Sequence, residues 1–181
     1  MKWAIVLFLS ALFAMISVPG EAAEKLSIGA VEEIILLPWG ARLPARIDTG
    51  ATTSSLDVCD IKVEGRFVSF TLSDRCGGHK VRRELVEWTE VRTTEGTERR
   101  PVVMVDICLG PKIIKTHVTL NNRSKMGYPF LVGRKTLRGK FIVDVSRKNI
   151  LPPHCPGIKL DMKPAIDFES SPDTGPGQSK P

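Results

Sequence analysis

Residues 45–56 read Ala45-Arg46-Ile47-Asp48-Thr49-Gly50-Ala51-Thr52-Thr53-Ser54-Ser55-Leu56. Leu43, Ala45 and Ile47 recur at every second position, the period of a strand with one buried face. That strand runs directly into an acidic residue, then a glycine, then small hydroxylated side chains. A carboxylate between an apolar strand end and a glycine is costly to bury unless something pairs with it. Chemistry is the usual reason to hold one in such a place. Asp-Thr-Gly on its own reads more readily as a turn, since Asp and Gly are common turn formers. The chain carries its own control: Asp173-Thr174-Gly175 repeats the tripeptide between Pro172 and Pro176, with no strand leading in. A carboxylate there stays in water, so β context is what separates Asp48 from Asp173.

Outward from this stretch the pattern is one of short strands. Leu26 to Val31 and Glu33 to Leu37 precede it, with Pro38-Trp39-Gly40 as a turn before Ala41 to Ile47. Val58 to Val63 and Arg66 to Leu72 flank Glu64-Gly65, a hairpin signal. Ser73 to Lys80 reads as a loop and Val81 to Arg92 as an extended segment. Thr93 to Arg100 carries Glu95-Gly96 and reads as a hairpin tip. Pro101 to Leu109 and Ile113 to Leu120 pair about Gly110-Pro111, and Asn121 to Pro129 is a polar loop. Phe130-Leu131-Val132 is a short apolar strand ending at Gly133. Arg134 to Leu137 is a helical turn stopped by Gly139, and Phe141 to Val145 is a last strand. No window sustains helical periodicity. Short strands with turn signals at close intervals predict an all-β fold, a closed barrel with one short helical turn.

The ends read differently. Lys2 followed by the apolar run Ala4 to Val18 and the small residues Pro19-Gly20-Glu21-Ala22-Ala23 has the layout of a secretory signal peptide over residues 1–23, cleaved after Ala22. The run is short for a membrane span. No stable membrane insertion is expected after cleavage, and the destination is the periplasm or the exterior. The barrel domain is assigned to 24–152 and a C-terminal extension to 153–181. From about residue 170 that extension is rich in Ser, Pro and Gly and is expected to be disordered. In an oxidising compartment Cys59, Cys76, Cys108 and Cys155 read as two disulfides. Cys59–Cys76 across a hairpin and Cys108–Cys155 tying the last segment to the barrel are the favoured pairs, with buried free thiols as the alternative. The formal net charge of +6 comes from scattered basic pairs with no interleaved aromatics, so no nucleic-acid partner is expected.

Two features together carry a resemblance. One is the strand leading into Asp48-Thr49-Gly50-Ala51 and the hydroxylated residues. The other is Phe130-Leu131-Val132-Gly133-Arg134. The pair resembles the retropepsins, single-domain aspartic peptidases of retroviral type. The wider stretch is similar to the bacterial retropepsin-like family, whose members are often labelled ATP-dependent zinc proteases. It takes in Asn121-Asn122-Arg123-Ser124-Lys125-Met126, Tyr128 to Arg134, and Gly139-Lys140-Phe141-Ile142-Val143-Asp144. The resemblance covers residues 28–151.

It implies an aspartic endopeptidase with a peptide or protein substrate and no cofactor, and with Asp48, Thr49 and Gly50 as the catalytic triplet. One chain supplies one suitable Asp. A dyad therefore needs a homodimer, each copy giving an Asp48 at the two-fold axis. Thr49 would hydrogen-bond across that axis, Gly50 would let backbone N–H groups approach the carboxylates, and Ala51 would leave room for a water. Ala51, Gly96 and Gly133 are the expected substrate-side positions, Gly133 because a glycine lets the apolar strand cross close to the catalytic loop. Thr93 to Arg100, with Gly96 at its tip, is the candidate flap, and Asp74 to Lys80 its rival. Asp144 is expected to position Arg134, and Asp106 to be a structural carboxylate.

The zinc and ATP labels find no motif: His79, His117 and His154 are isolated, and there is no phosphate loop. No metal ligands are assigned. The reading from a different class is a monomeric, non-catalytic barrel that binds envelope peptides or polymers.

Overall fold

The structure is a computed structural model that describes residues 24–93, 96–155 and 157. The expected signal peptide, the tail beyond 157, its Asp173-Thr174-Gly175 and residues 94 and 95 lie outside the described residues. The strands are β1 (Leu26–Gly29), β2 (Val31–Leu37), β3 (Ala41–Ile47), β4 (Ser54–Glu64), β5 (Phe67–Leu72), β6 (Lys80–Glu84), β7 (Glu87–Thr93), β8 (Gly96–Leu109), β9 (Lys112–Asn121), β10 (Phe130–Val132) and β11 (Phe141–Asp144). A 3-10 turn spans Asp74–Cys76, and one helical turn, α1, spans Arg134–Leu137. Among the described residues no helix is long and apolar enough to cross a membrane.

Six strands close on themselves in the order β10-β3-β2-β8-β9-β4. The predicted all-β closed barrel is present. β10 completes the ring by pairing parallel with β3 and antiparallel with β4. Closure leaves no exposed edge on the barrel itself. Alternation along each strand sends one face inward. Ile34 and Leu36, Leu43 and Ala45, Leu56 and Val58, Val103 and Val105, Val118 and Leu120, and Phe130 and Val132 meet there, all buried. Phe130 is the bulkiest fully buried side chain, and it sits on the shortest strand of the ring. Beyond the ring, β4 runs on into an antiparallel sheet with β5 and β6. β7 and the first half of β8 form a hairpin that projects from the barrel.

Two features tie the C-terminal segment down. Glu32 on β2 is fully buried, and its carboxylate accepts the backbone N–H groups of Gly29, Ile150 (3.2 Å) and Leu151 (3.1 Å). Such charge-assisted bonds offset part of the cost of removing a carboxylate from water. Cys108 and Cys155 form the second tie, a disulfide spanning 47 residues. The other expected pair is absent, because Cys59 and Cys76 are free thiols. Cys59 is exposed on the face of β4 opposite Val58, whereas Cys76 lies in the core cluster. A shift of one residue along a strand puts a side chain on the other face, and here it puts the two sulfurs on opposite sides of a sheet. Burial raises the Cys76 thiol to about 11, against a smaller lowering by the hydroxyl of Ser73.

Candidate active site

The site is built where β10 lies between the two limbs of the Asp48 loop. Val132 is in register with Ile47 on β3, and Leu131 with Ser55 on β4. The Asp48 N–H donates to Val132 O at 2.9 Å, which carries the β3–β10 ladder to the acidic residue itself. Gly133 follows, and a Cβ there would stand 2.6 Å from the carbonyl carbon of Thr53 and 2.9 Å from Ser54 N. Its backbone is extended, so glycine is needed for space and not for an unusual dihedral. Its contribution to the site is this close packing beneath residues 53 and 54.

Asp48 is half-buried, and Thr49 and Gly50 are exposed. One carboxylate oxygen, Oδ1, accepts the N–H of Gly50 at 2.8 Å and of Ala51 at 3.0 Å. The other oxygen has no protein donor among the described residues. The loop is clamped from behind by Arg134. Its Nη1 donates to Thr49 O (2.9 Å) and Gly50 O (2.6 Å), its Nη2 to Thr52 Oγ1 (3.0 Å), and its backbone N–H to Ala51 O (2.8 Å). Lys135 N–H takes Thr52 O at 3.0 Å. The carbonyls of residues 49–52 therefore all point at the start of α1. Below them runs a chain of hydroxyls. Ser54 Oγ accepts Gly133 N–H at 3.1 Å and is 2.8 Å from Thr136 Oγ1, which is 2.5 Å from Thr116 Oγ1. Planar guanidinium forks suit such multiple carbonyl contacts, and lysine could not replace this one.

Asp144 does not position Arg134. Its carboxylate accepts the backbone N–H and the hydroxyl of Ser146, which hold it below the usual carboxylate range. Asp106 faces Lys115 across the β8–β9 hairpin at 4.0 Å. Of the two flap candidates, β7 and β8 do form a paired hairpin, with Thr93 opposite Gly96 and Gly96 at a φ of 133°. The rival segment, Asp74 to Lys80, contains Arg75, which is bound to Asp57 and to the 122–129 loop.

Residues to which the sequence assigned no role line the outer face beside Asp48. Neighbouring strands place Arg46, Leu131, Ser55, Thr119 and Val102 in one row on the face opposite the core. Over that row lies Arg123, only 7% exposed, which donates from Nε to Tyr128 O at 3.3 Å and from Nη1 to Ser55 Oγ at 3.4 Å. Among the described residues no carboxylate pairs with its guanidinium, and Nη2 has no acceptor. No described side-chain nitrogen is both fully buried and unpartnered, so Nη2 keeps an opening to solvent. Burial and then the nearby Arg100 lower the Arg123 guanidinium from its ordinary value, while Asp57 and Asp48 oppose this. Arg100, itself buried, is held by Glu98 through Nε (2.9 Å) and Nη2 (2.6 Å). The sequence signal for Arg123 was its place in the polar loop ahead of β10, within the 121–126 stretch that carries part of the family resemblance.

Barrel, crossing strand and Asp-Thr-Gly loop together define a retropepsin-like protein. The chain belongs to the RimB-like family, described as retropepsin-like aspartic endopeptidase RimB, whose model matches residues 27–154. A relative from Parasynechococcus marenigrum, named a probable alpha-L-glutamate ligase, is 39% identical over 132 residues, 66% of this chain and 28% of its own. One of the same name from Shewanella pealeana is 33% identical over 130 residues, 67% of this chain and 27% of its own. The chain thus spans about a quarter of the length of these curated relatives. A solved structure from Legionella pneumophila, of unknown function, superposes with a TM-score of 0.62 at 28% identity, over 71% of this chain and 99% of that one.

Proposed function

We propose that the protein is an exported aspartic endopeptidase whose dyad is completed by a second copy of the chain. The observation that carries this reading is the Asp48 loop. It presents a carboxylate at the end of a buried strand, fixed through one oxygen by two N–H groups and open at the other. Two such carboxylates brought together share a proton, because both cannot ionise at that distance. The ionised member takes a proton from a water, and the protonated member polarises the peptide carbonyl. The attacking oxygen bonds to the carbonyl carbon, and the amine leaves with a proton. The exposed Thr49 and Gly50 are where the second loop would meet the first. The apolar run at residues 4–18 and the Cys108–Cys155 disulfide support export.

The substrate in this proposal is an acidic peptide. Arg46 and Arg123 put positive charge on the face beside Asp48, and Arg123 has an unclaimed donor. In support, relatives that share a similar stretch carry the name probable alpha-L-glutamate ligase. Incubating purified protein with glutamate-rich and glutamine-rich peptides at mildly acidic pH tests the reading. Cleavage of the first, lost in Asp48→Asn with the fold retained, is expected. Equal turnover by Asp48→Asn would falsify the role of Asp48. A strict monomer by mass measurement would favour a binding barrel instead.

A further inference from the structure

Asp57 is buried on β4, two residues beyond Ser55, and has no place in the chemistry above. Its Oδ2 accepts Arg75 Nη2 at 2.7 Å and Nε at 3.2 Å, and its Oδ1 accepts the backbone N–H of Arg123 at 2.6 Å. Arg75 then reaches past the carboxylate to Arg123 O (2.8 Å) and Met126 O (3.0 Å). Residue 123 is thus gripped at both its N–H and its C=O by one ion pair whose carboxylate is buried. Its side chain turns back over Ser55, and that turn is closed by Nε on Tyr128 O. Three segments converge on this one position: β4, the 3-10 turn bearing Arg75, and the 122–129 loop. A buried ion pair is a weak source of stability, since desolvation offsets most of its attraction, and its best-attested use is to fix one conformation.

We propose that Asp57 and Arg75 are positioning residues that register Arg123 on the outer face beside Asp48, so that its free Nη2 meets a substrate carboxylate. The inference rests on the acidic-peptide reading. Neither residue touches the reacting atoms; each acts through Arg123. Asp57 sets the depth of the backbone, and Arg75, whose side chain is 28% exposed, bridges from the 3-10 turn to the loop.

The test uses Asp48→Asn protein, which holds a peptide without cutting it. Fluorescein-labelled hexaglutamate and hexaglutamine peptides are titrated and followed by anisotropy. The parent should bind hexaglutamate more tightly. Adding Arg75→Gln or Asp57→Asn should weaken hexaglutamate binding about tenfold, as expected for a misplaced charge-assisted contact, and leave hexaglutamine binding unchanged. Arg75→Lys should recover part of the loss. A merely structural role would weaken both peptides alike or neither. Should Asp57→Asn fail to fold, Arg75→Gln decides. A folded Arg75→Gln protein with the parent's ratio of affinities overturns the inference. Equal binding of the two peptides by the parent overturns the acidic-peptide reading first, a result seen before any clamp variant is made.

Discussion

The Asp48 loop and the β7–β8 hairpin are held in opposite ways. Carbonyls of residues 49–52 are all occupied by Arg134 and Lys135, and the loop lies on the tightly packed Gly133. The hairpin is held by its own ladder from Glu87–Val102 to Thr93–Gly96, and most of its residues are exposed. The difference teaches where rigidity is needed. A reacting carboxylate misplaced by about 1 Å costs on the order of a hundredfold in rate, whereas a hairpin serving as the proposed flap would have to move.

Breaking the rigid side should have the largest effect. Gly133→Ala forces a methyl against the Thr53 backbone, and overpacking of this kind costs about 1–3 kcal/mol. Since the group displaced is the backbone under Asp48, the proposed peptidase activity should disappear while part of the thermal stability remains, which calorimetry and a peptide assay would show together. Arg134→Met comes next. It removes the guanidinium contacts to Thr49, Gly50 and Thr52, and an activity loss of about a hundredfold is expected with a smaller fall in Tm, because the side chain is solvent-exposed. Arg134→Lys should recover little. An activity change no larger than the Tm change would place Arg134 outside the site.

The hairpin should respond differently. Gly96 stands at a φ of 133° with open space around it, so Gly96→Ala strains the backbone by roughly 1–3 kcal/mol locally. Barrel stability should hardly move, and turnover should change more than Tm does. A Tm loss as large as that of Gly133→Ala would erase the contrast.

The smallest effect concerns the thiols. At neutral pH a thiol reagent should label the exposed Cys59 in the native protein and Cys76 only after denaturation. Burial favours the neutral form of Cys76. That contribution is complete below the ordinary thiol value and is lost as pH rises toward about 11. Rapid labelling of both thiols in the native state would contradict the packing around Cys76.

What the sequence made legible was local. The alternation of Leu43, Ala45 and Ile47, the apolar triplet before Gly133, the turn at Gly110-Pro111 and the helical turn at Arg134 all sit where the pattern put them. Hidden features depend on partners far along the chain. β4 begins at Ser54 rather than Val58, because Ser54 is a buried hydroxyl satisfied by Gly133 and Thr136, and looks like loop when read alone. Glu32 looks like a surface residue until the N–H groups of residues 150 and 151 are brought to it. Asp57, Arg75 and Arg123 are scattered charges in the sequence and one cluster in space. Cys59 failed as a disulfide partner because its strand turns it away from Cys76. Asp144 failed as a partner for Arg134 because Ser146, two residues away, claims its carboxylate first.

Mixing wild-type and Asp48→Asn chains at constant total concentration, with exchange allowed, tests the shared dyad most directly. If each active unit needs an aspartate from both copies, activity follows the square of the wild-type fraction, so an equal mixture retains about a quarter of it. Activity falling in simple proportion, to about half, would mean that a single chain does the chemistry alone.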